Sequence, residues 1–247
     1  VPNGGALVEL GSGASVKTRT LLDAGTHFGA YVPIDISQDF LIATAQDLRA
    51  RYPALPIHPV VGDFGNKVAL PAAVCDLPKV GFFPGSTIGN LEPDDAVGLL
   101  SRARAWPGMQ RFVLGADLIK GQDELVAAYD DARGVTAAFN LNILTRLTRE
   151  AGATFDITAF AHEARWMGDR IEMHLVAQSA QTVTLGGQSI MFKQGESIHT
   201  ESCRKYTHTD LERLAHASGW RLEDVLTDAH NRFAVAVLVQ DHADARH

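Results

Sequence analysis

Along the first 120 residues, short apolar runs alternate with longer segments whose apolar positions recur at helical spacing. Ala6 to Leu10 is the first run. It closes in Glu9-Leu10-Gly11-Ser12-Gly13, and a helix is predicted from about Ser15 to Ala24. Tyr31 to Ile34 is a second run, closed by Asp35 and followed by a predicted helix around Gln38 to Arg51. Ile57 to Val61 makes a third and ends at Gly62-Asp63-Phe64. Val80 to Phe83 is stopped by Pro84-Gly85, so Ser86 to Asn90 reads as a loop before a helix from about Asp94 to Ala105. A fifth strand, Arg111 to Gly115, leads into Asp117-Leu118-Ile119-Lys120. Regular β-α alternation predicts an α/β fold with a parallel, doubly wound sheet. Such sheets bind ligands at the carboxyl ends of their strands, where Gly11, Asp35, Asp63 and Ser86 stand.

Beyond Gly121 the pattern changes. Gln122 to Glu150 reads as one long amphipathic helical stretch. Arg170 to Ala180 alternates Ile171, Met173 and Leu175 against Glu172 and His174, the mark of a half-buried strand. Thr182 to Phe192, turning at Gly186-Gly187, is its expected hairpin partner. A helix from about Thr209 to Ser218 and a strand from Phe233 to Val239 are expected to return to the sheet as an antiparallel pair. The expected organisation is a main domain of residues 1–120 and 203–247 with an inserted α+β subdomain, 121–202.

At 247 residues the chain can bury a full core. A formal charge of -7 without any Lys/Arg-rich stripe argues against nucleic acid as partner and leaves small molecules or proteins. No apolar run is long enough to span a bilayer and no signal peptide is present, so a cytoplasmic protein without membrane contact is expected. Cys75 and Cys203 lie far apart without CxxC or Cys/His spacing, which predicts reduced thiols and no metal. The sequence opens almost directly into a strand, as if residues that normally precede it were absent.

The glycine loop after the first strand lets a cofactor lie against the backbone at a helix amino end. It is not the dinucleotide fingerprint, because Val16 stands where the third glycine belongs. Asp35, roughly 20 residues beyond the glycines, is placed to accept from two ribose hydroxyls. Gly11 to Asp35 therefore suggests an adenosine-type ligand without requiring a pyrophosphate. Asp63 can accept from an adenine amino group while Phe64 stacks on the ring; read singly, Asp63 is a turn residue and Phe64 a core residue. Ser86, Thr87 and Asn90 offer uncharged donors and acceptors, which suit a neutral or zwitterionic reactant. The same loop also reads as a tight turn, with Asn90 capping the helix that follows.

Taken together, these motifs resemble the histidine-specific, S-adenosylmethionine-dependent methyltransferase family, whose best-known member makes trimethylhistidine (hercynine) in ergothioneine biosynthesis. The similarity covers essentially the whole chain. It runs through Glu9-Leu10-Gly11-Ser12-Gly13, Gly62-Asp63-Phe64, Gly85-Ser86-Thr87-Ile88-Gly89-Asn90, Asp117-Leu118-Ile119-Lys120, Tyr129-Asp130-Asp131-Ala132-Arg133-Gly134-Val135-Thr136, Arg170-Ile171-Glu172-Met173 and Thr200-Glu201. The first two are common to many methyltransferases; the others, in this order, are specific.

The resemblance implies a class I methyltransferase-like sheet with a substrate-binding insertion. It implies that Gly11, Lys17, Asp35, Asp63, Phe64 and Ser86 contact S-adenosyl-L-methionine. Asn90 and Tyr129 would be the catalytic pair that holds the amine and carboxylate of an amino acid, while Met173 and Glu201 line an imidazole pocket. Cys203 stands where the family's Glu-x-Ser places its serine. On the residues alone, Tyr129 reads as helical core, Glu201 as a loop acid and Met173 as strand core. His162, His174 and His199 lack ligand-like spacing and read as structural or surface residues. The family also carries an amino-terminal helical segment whose tyrosines close over the substrate, and this sequence starts after it. The implied reaction is methyl transfer to the α-amine of L-histidine. Two alternatives stay open: a different amino acid, tryptophan-type, as substrate, and a non-catalytic methyltransferase-like partner subunit. A monomer is expected.

Overall fold

A computed structural model of the chain describes residues 2–25 and 27–240; the remaining positions of the expected main domain, 1, 26 and 241–247, lie outside the described residues. The structure divides into two compact units. One runs up to Leu118 and resumes at Tyr206, and the other is Ile119–Lys205. The division falls slightly outside the expected 121–202 and assigns Cys203 to the second unit.

The first unit is built on a seven-stranded sheet. Its strands are β1 (Ala6–Leu10), β2 (Ala30–Asp35), β3 (Val60–Val61), β4 (Lys79–Phe83), β5 (Met109–Asp117), β11 (Trp220–Thr227) and β12 (Phe233–Gln240), in the order β11-β12-β5-β4-β1-β2-β3. The first five pair in parallel, and β12 runs antiparallel to both β5 and β11. The third strand is shorter than expected; Ile57 contributes only an isolated bridge to Tyr31. The strand β11 was not foreseen. β1 pairs with β2 on one side and β4 on the other, so the strand order reverses there and a crevice opens at the carboxyl ends of β1 and β4.

Both faces of this sheet are covered. Ala6, Val8 and Leu10 pack with Leu99, Leu100, Leu211, Leu214 and Trp220, which come largely from α3 (Pro93–Arg104) and α6 (His208–Ala217). Leu7 and Tyr31 pack on the other side with Leu22 of α1 (Val16–Ala24) and with Ala45 and Leu48 of α2 (Gln38–Arg51). Local chemistry sets the helix ends: Pro93 opens α3 with Asp94 and Asp95 in its first turn and Arg102 and Arg104 in its last. Thr207 and Asp210 form a capping box on α6. The chain leaves the first unit and re-enters it at neighbouring points, since Leu118 and Tyr206 form a parallel bridge.

The second unit holds α4 (Gln122–Tyr129), α5 (Val135–Ala151), a three-stranded antiparallel sheet and a hairpin. The expected single helix over 122–150 is two. Gly134 adopts φ 70°, and Asp131 accepts from the amides of Val135 and Thr136 at 3.2 and 2.8 Å, which starts a new helix. The strand over Arg170–Ala177, β7, does not pair with the segment after it. It is central, between β6 (Phe160–Trp166) and β10 (Ser197–Arg204). The Gly186-Gly187 turn is present, with φ 57° and 78°, and joins β8 (Gln181–Leu185) to β9 (Gln188–Phe192) as a separate hairpin. Among the described residues, no helix is long and apolar enough to cross a membrane.

Candidate active site

In the first unit, a cleft of about 290 Å³ lies at the point where the strand order reverses. Glu9, Gly11, Ser12, Lys17, Gly85 and Thr87 contribute to its lining. Gly11 has φ 60°, and a Cβ there would stand 3.3 Å from the Phe64 ring and 3.7 Å from the Phe83 ring. Gly13 has φ 48° and open space where a side chain would project, so a ligand can approach the backbone closely. The Gly13 amide donates to Asp35 Oδ2 at 2.9 Å, and the Ser37 amide donates to Oδ1 at 3.0 Å. Each carboxylate oxygen accepts more than one hydrogen bond, so Asp35 keeps acceptor capacity for a ribose. The Lys17 ammonium stands over Gly85, 3.0 Å from where its Cβ would be.

Asp63 ends the third strand as a turn former: it accepts from the Gly65 amide and from Asn66 Nδ2, both at 2.8 Å. Phe64 packs edge-on against Phe83, ring centres 5.3 Å apart, and lines a second, apolar cavity of about 280 Å³ with Leu10, Leu99 and Trp106. Ser86 is held in the left-handed region at φ 61°, and its hydroxyl oxygen accepts from the Asp117 amide at 2.8 Å, which leaves its own proton to donate. Asn90 closes the short 3₁₀ turn Thr87–Asn90 and is exposed.

One buried group in the cleft lining was given no role of its own by the sequence. Glu9 is 2% exposed and its Oε2 accepts from Thr18 Oγ1 at 2.5 Å and from the Tyr31 hydroxyl. Burial pushes its carboxyl up to about 7 against the lowering effect of those two donors.

In the second unit, strand pairing puts most of the expected substrate residues on one face. Glu201 lies opposite Met173, and Cys203 opposite Ile171, across the β10–β7 ladder. Directly opposed residues share a face with Cβ atoms about 5 Å apart. A bulge between His199 and Glu201 sets this phase, and Thr200 Oγ1 donates to the Met173 carbonyl at 2.9 Å. Met173 is buried, and burial raises the pKa of half-buried Glu201. Tyr129, at the end of α4, is joined to β10 through Lys205, whose ammonium donates to the Tyr129 oxygen at 2.7 Å and to Cys203 Sγ at 3.3 Å. Burial, followed by the neighbouring Cys203, pushes the phenol up to about 12. Two further residues brace Tyr129: Asn140 Nδ2 lies 2.9 Å from His162 Nδ1, and His162 Nε2 lies 2.7 Å from the Tyr129 carbonyl. The amide nitrogen of Asn140 can only donate, so Nδ1 accepts and Nε2–H donates to the carbonyl.

Over residues 1–240 the sequence matches the family described as histidine-specific methyltransferase, SAM-dependent. The chain belongs to that family. Histidine N-alpha-methyltransferase of Mycolicibacterium smegmatis is 40% identical over 248 residues, which cover 95% of this chain and 75% of the relative. Ergothioneine biosynthesis protein 1 of Neurospora crassa is 26% identical over 234 residues, 89% of this chain and 26% of that much longer protein. Among solved structures, an S-adenosylmethionine-dependent methyltransferase from Clostridium acetobutylicum aligns with TM-score 0.53 at 12% identity, covering 96% of this chain and 84% of its own. That likeness bears on the fold alone: it is class I methyltransferase-like, as the family requires.

The side chains of the cleft suit S-adenosylmethionine, the cofactor of this methyltransferase family. Open backbone at Gly13, the anchored Asp35 carboxylate, the Lys17 ammonium and the Ser86 proton form a donor and acceptor set that fits an amino acid joined to a nucleoside. Among the described residues, no group of three or more His, Cys, Asp or Glu could hold a metal ion. Sequence reading missed Glu9, Asn140, His162 and Lys205 as parts of these sites. Only Glu9 carried a signal, as an acid within an otherwise apolar strand.

Proposed function

We propose that the chain transfers methyl groups from S-adenosylmethionine to the α-amino group of L-histidine, giving trimethylhistidine for ergothioneine biosynthesis. The observation that carries this reading is the shared face of Met173, Glu201 and Cys203 in a chain of this family. It offers an apolar wall and a carboxylate to an imidazole. The relatives' names point the same way.

Bound at the cleft, S-adenosylmethionine supplies a methyl group on a sulfonium sulfur. The residues of the chain contribute position more than acid-base chemistry, because the nucleophile needs a free lone pair and a line of approach. Asn90 holds the amine through a neutral oxygen, which tolerates the positive charge that grows with each methylation. Tyr129, kept protonated by its raised pKa, donates to the carboxylate. Glu201 accepts from the imidazole N–H, Met173 packs on the ring, and Cys203 gives a weaker polar contact than a serine would. Gly11, Lys17, Asp35, Asp63, Phe64 and Ser86 serve the cofactor. The setting is cytoplasmic, where the two free thiols stay reduced, and the working unit is a monomer.

Calorimetry with S-adenosylhomocysteine and a panel of amino acids tests the reading. It predicts heat with histidine. Heat with tryptophan but not histidine would move the chain to a different amine, and heat with the cofactor product but with no amino acid would make it a non-catalytic partner.

A further inference from the structure

The apolar cavity of about 280 Å³ in the first unit lies on the face of the sheet that α3 covers. The cofactor cleft is lined instead from α1, by Val16 and Lys17. We propose that this cavity is a binding site for a small aromatic carboxylate, separate from the cofactor cleft. Leu10 and Leu99, each 2% exposed, form its inner wall with Phe64, Val68 and Trp106. The Trp106 indole N–H donates to the Val68 carbonyl at 2.9 Å, so the polar atom of that wall is satisfied and its ring is held. Phe64 divides the two spaces: a Cβ on Gly11, in the cleft lining, would stand 3.3 Å from its ring.

The charge of the lining carries the argument. Lys67 and Arg102 both border the cavity, and no Asp or Glu does, in a chain whose formal charge is -7. Among the described residues neither cation is in an ion pair. The Arg102 Nε is buried without a hydrogen-bond partner, and its Nη2 reaches only the Phe64 carbonyl, at 3.4 Å. A helix carboxyl end favours a cation, which accounts for an arginine in the last turn of α3. It does not account for a buried donor left without an acceptor. A guanidinium presents its donors as a planar fork, and a carboxylate matches two of them at once. Size sets the rest of the ligand. An apolar cavity of about 150 Å³ holds benzene, so this one takes a ring with a short acid side chain, roughly ten non-hydrogen atoms.

The test titrates phenylacetate into the full chain, with phenethyl alcohol, phenethylamine and acetate as comparisons, first alone and then with saturating S-adenosylhomocysteine to fill the cleft. The readout is the indole N–H signals of Trp106, Trp166 and Trp220 in nitrogen–proton correlation spectra, Trp106 being assigned by its loss in Trp106→Phe. Phenylacetate is expected to move the Trp106 signal and leave the other two in place, with a Kd on the order of 1 mM or tighter. The alcohol should bind roughly 10-fold more weakly for want of a charge-assisted hydrogen bond, and the amine and acetate should give no saturable shift. Arg102→Gln should weaken phenylacetate roughly 10-fold and leave the alcohol and S-adenosylhomocysteine affinity unchanged. Equal binding of acid and alcohol, or an acid affinity untouched by Arg102→Gln, would overturn the proposal. A Trp106 shift that is absent, or that vanishes when S-adenosylhomocysteine fills the cleft, would overturn it too. If Arg102→Gln does not fold, the comparison of acid with alcohol on the unaltered chain decides. None of these outcomes depends on which amine the chain methylates.

Discussion

Glu9 shows how a single buried carboxyl couples stability to pH. Its pKa rises from 4.5 to about 7 on folding, so between those values the folded chain holds a proton that the unfolded chain has released. Stability conferred by the protonated form is complete below pH 4.5, is lost as pH rises towards 7, and levels off above. At about 1.4 kcal/mol per unit the effect is on the order of 3 kcal/mol. Glu9→Gln should flatten this part of the profile, measured as the thermal midpoint of both proteins from pH 4.5 to 7.5; an unchanged slope would contradict the assignment. At the substrate face, Glu201→Ala is expected to raise the histidine KM roughly 10-fold or more by removing a charge-assisted acceptor, with S-adenosylhomocysteine affinity unchanged. An equal fall in cofactor affinity would take Glu201 out of the substrate pocket. Asn90→Ala should lower kcat by roughly 100-fold, the scale of a misplaced nucleophile, while the cofactor still binds; unchanged turnover would remove Asn90 from the site.

Secondary elements were legible in proportion to how cleanly each strand separates its two faces. β1, β2, β4 and β5 are apolar runs punctuated by glycine, proline or an acid, and their pattern is plain in the sequence. β6 and β10 are not, because the far face of their sheet carries Glu163, Arg165, Glu172, His174, His199 and Ser202 in a polar network. The bulge at His199/Glu201 then shifts the phase of β10 by one residue, and another at Leu222/Asp224 does the same in β11. The partner of β7 was misassigned because Gly186-Gly187 is a strong local hairpin signal that β8 and β9 consume between themselves. A buried strand also permits a sharp test of packing. A Cβ on Gly81 of β4 would fall 2.2 Å from the fully buried Phe112 ring. Gly81→Ala should therefore cost about 1–3 kcal/mol, read as a lower denaturant midpoint at unchanged slope. An unaltered midpoint would mean that the sheet can shift to admit a methyl group.

For the molecule as a whole, the alternation of strands and helices and the order of motifs were enough to indicate a class I methyltransferase-like fold and the family, and the family match spans residues 1–240. Side chains that act through other side chains were hidden. Lys205 lies 76 positions from Tyr129, and Asn140 lies 22 from His162, so only the folded chain relates them. Cys203 stands where the resemblance to the family places a serine in the proposed substrate pocket, which makes the identity of the methylated amine the central question. The most direct measurement is the mass and fragmentation of the product formed when the chain is given S-adenosylmethionine and L-histidine. The account predicts histidine carrying added methyl groups on its α-nitrogen, with S-adenosylhomocysteine formed in step. Histidine recovered unchanged, or methylated on its ring, would contradict it.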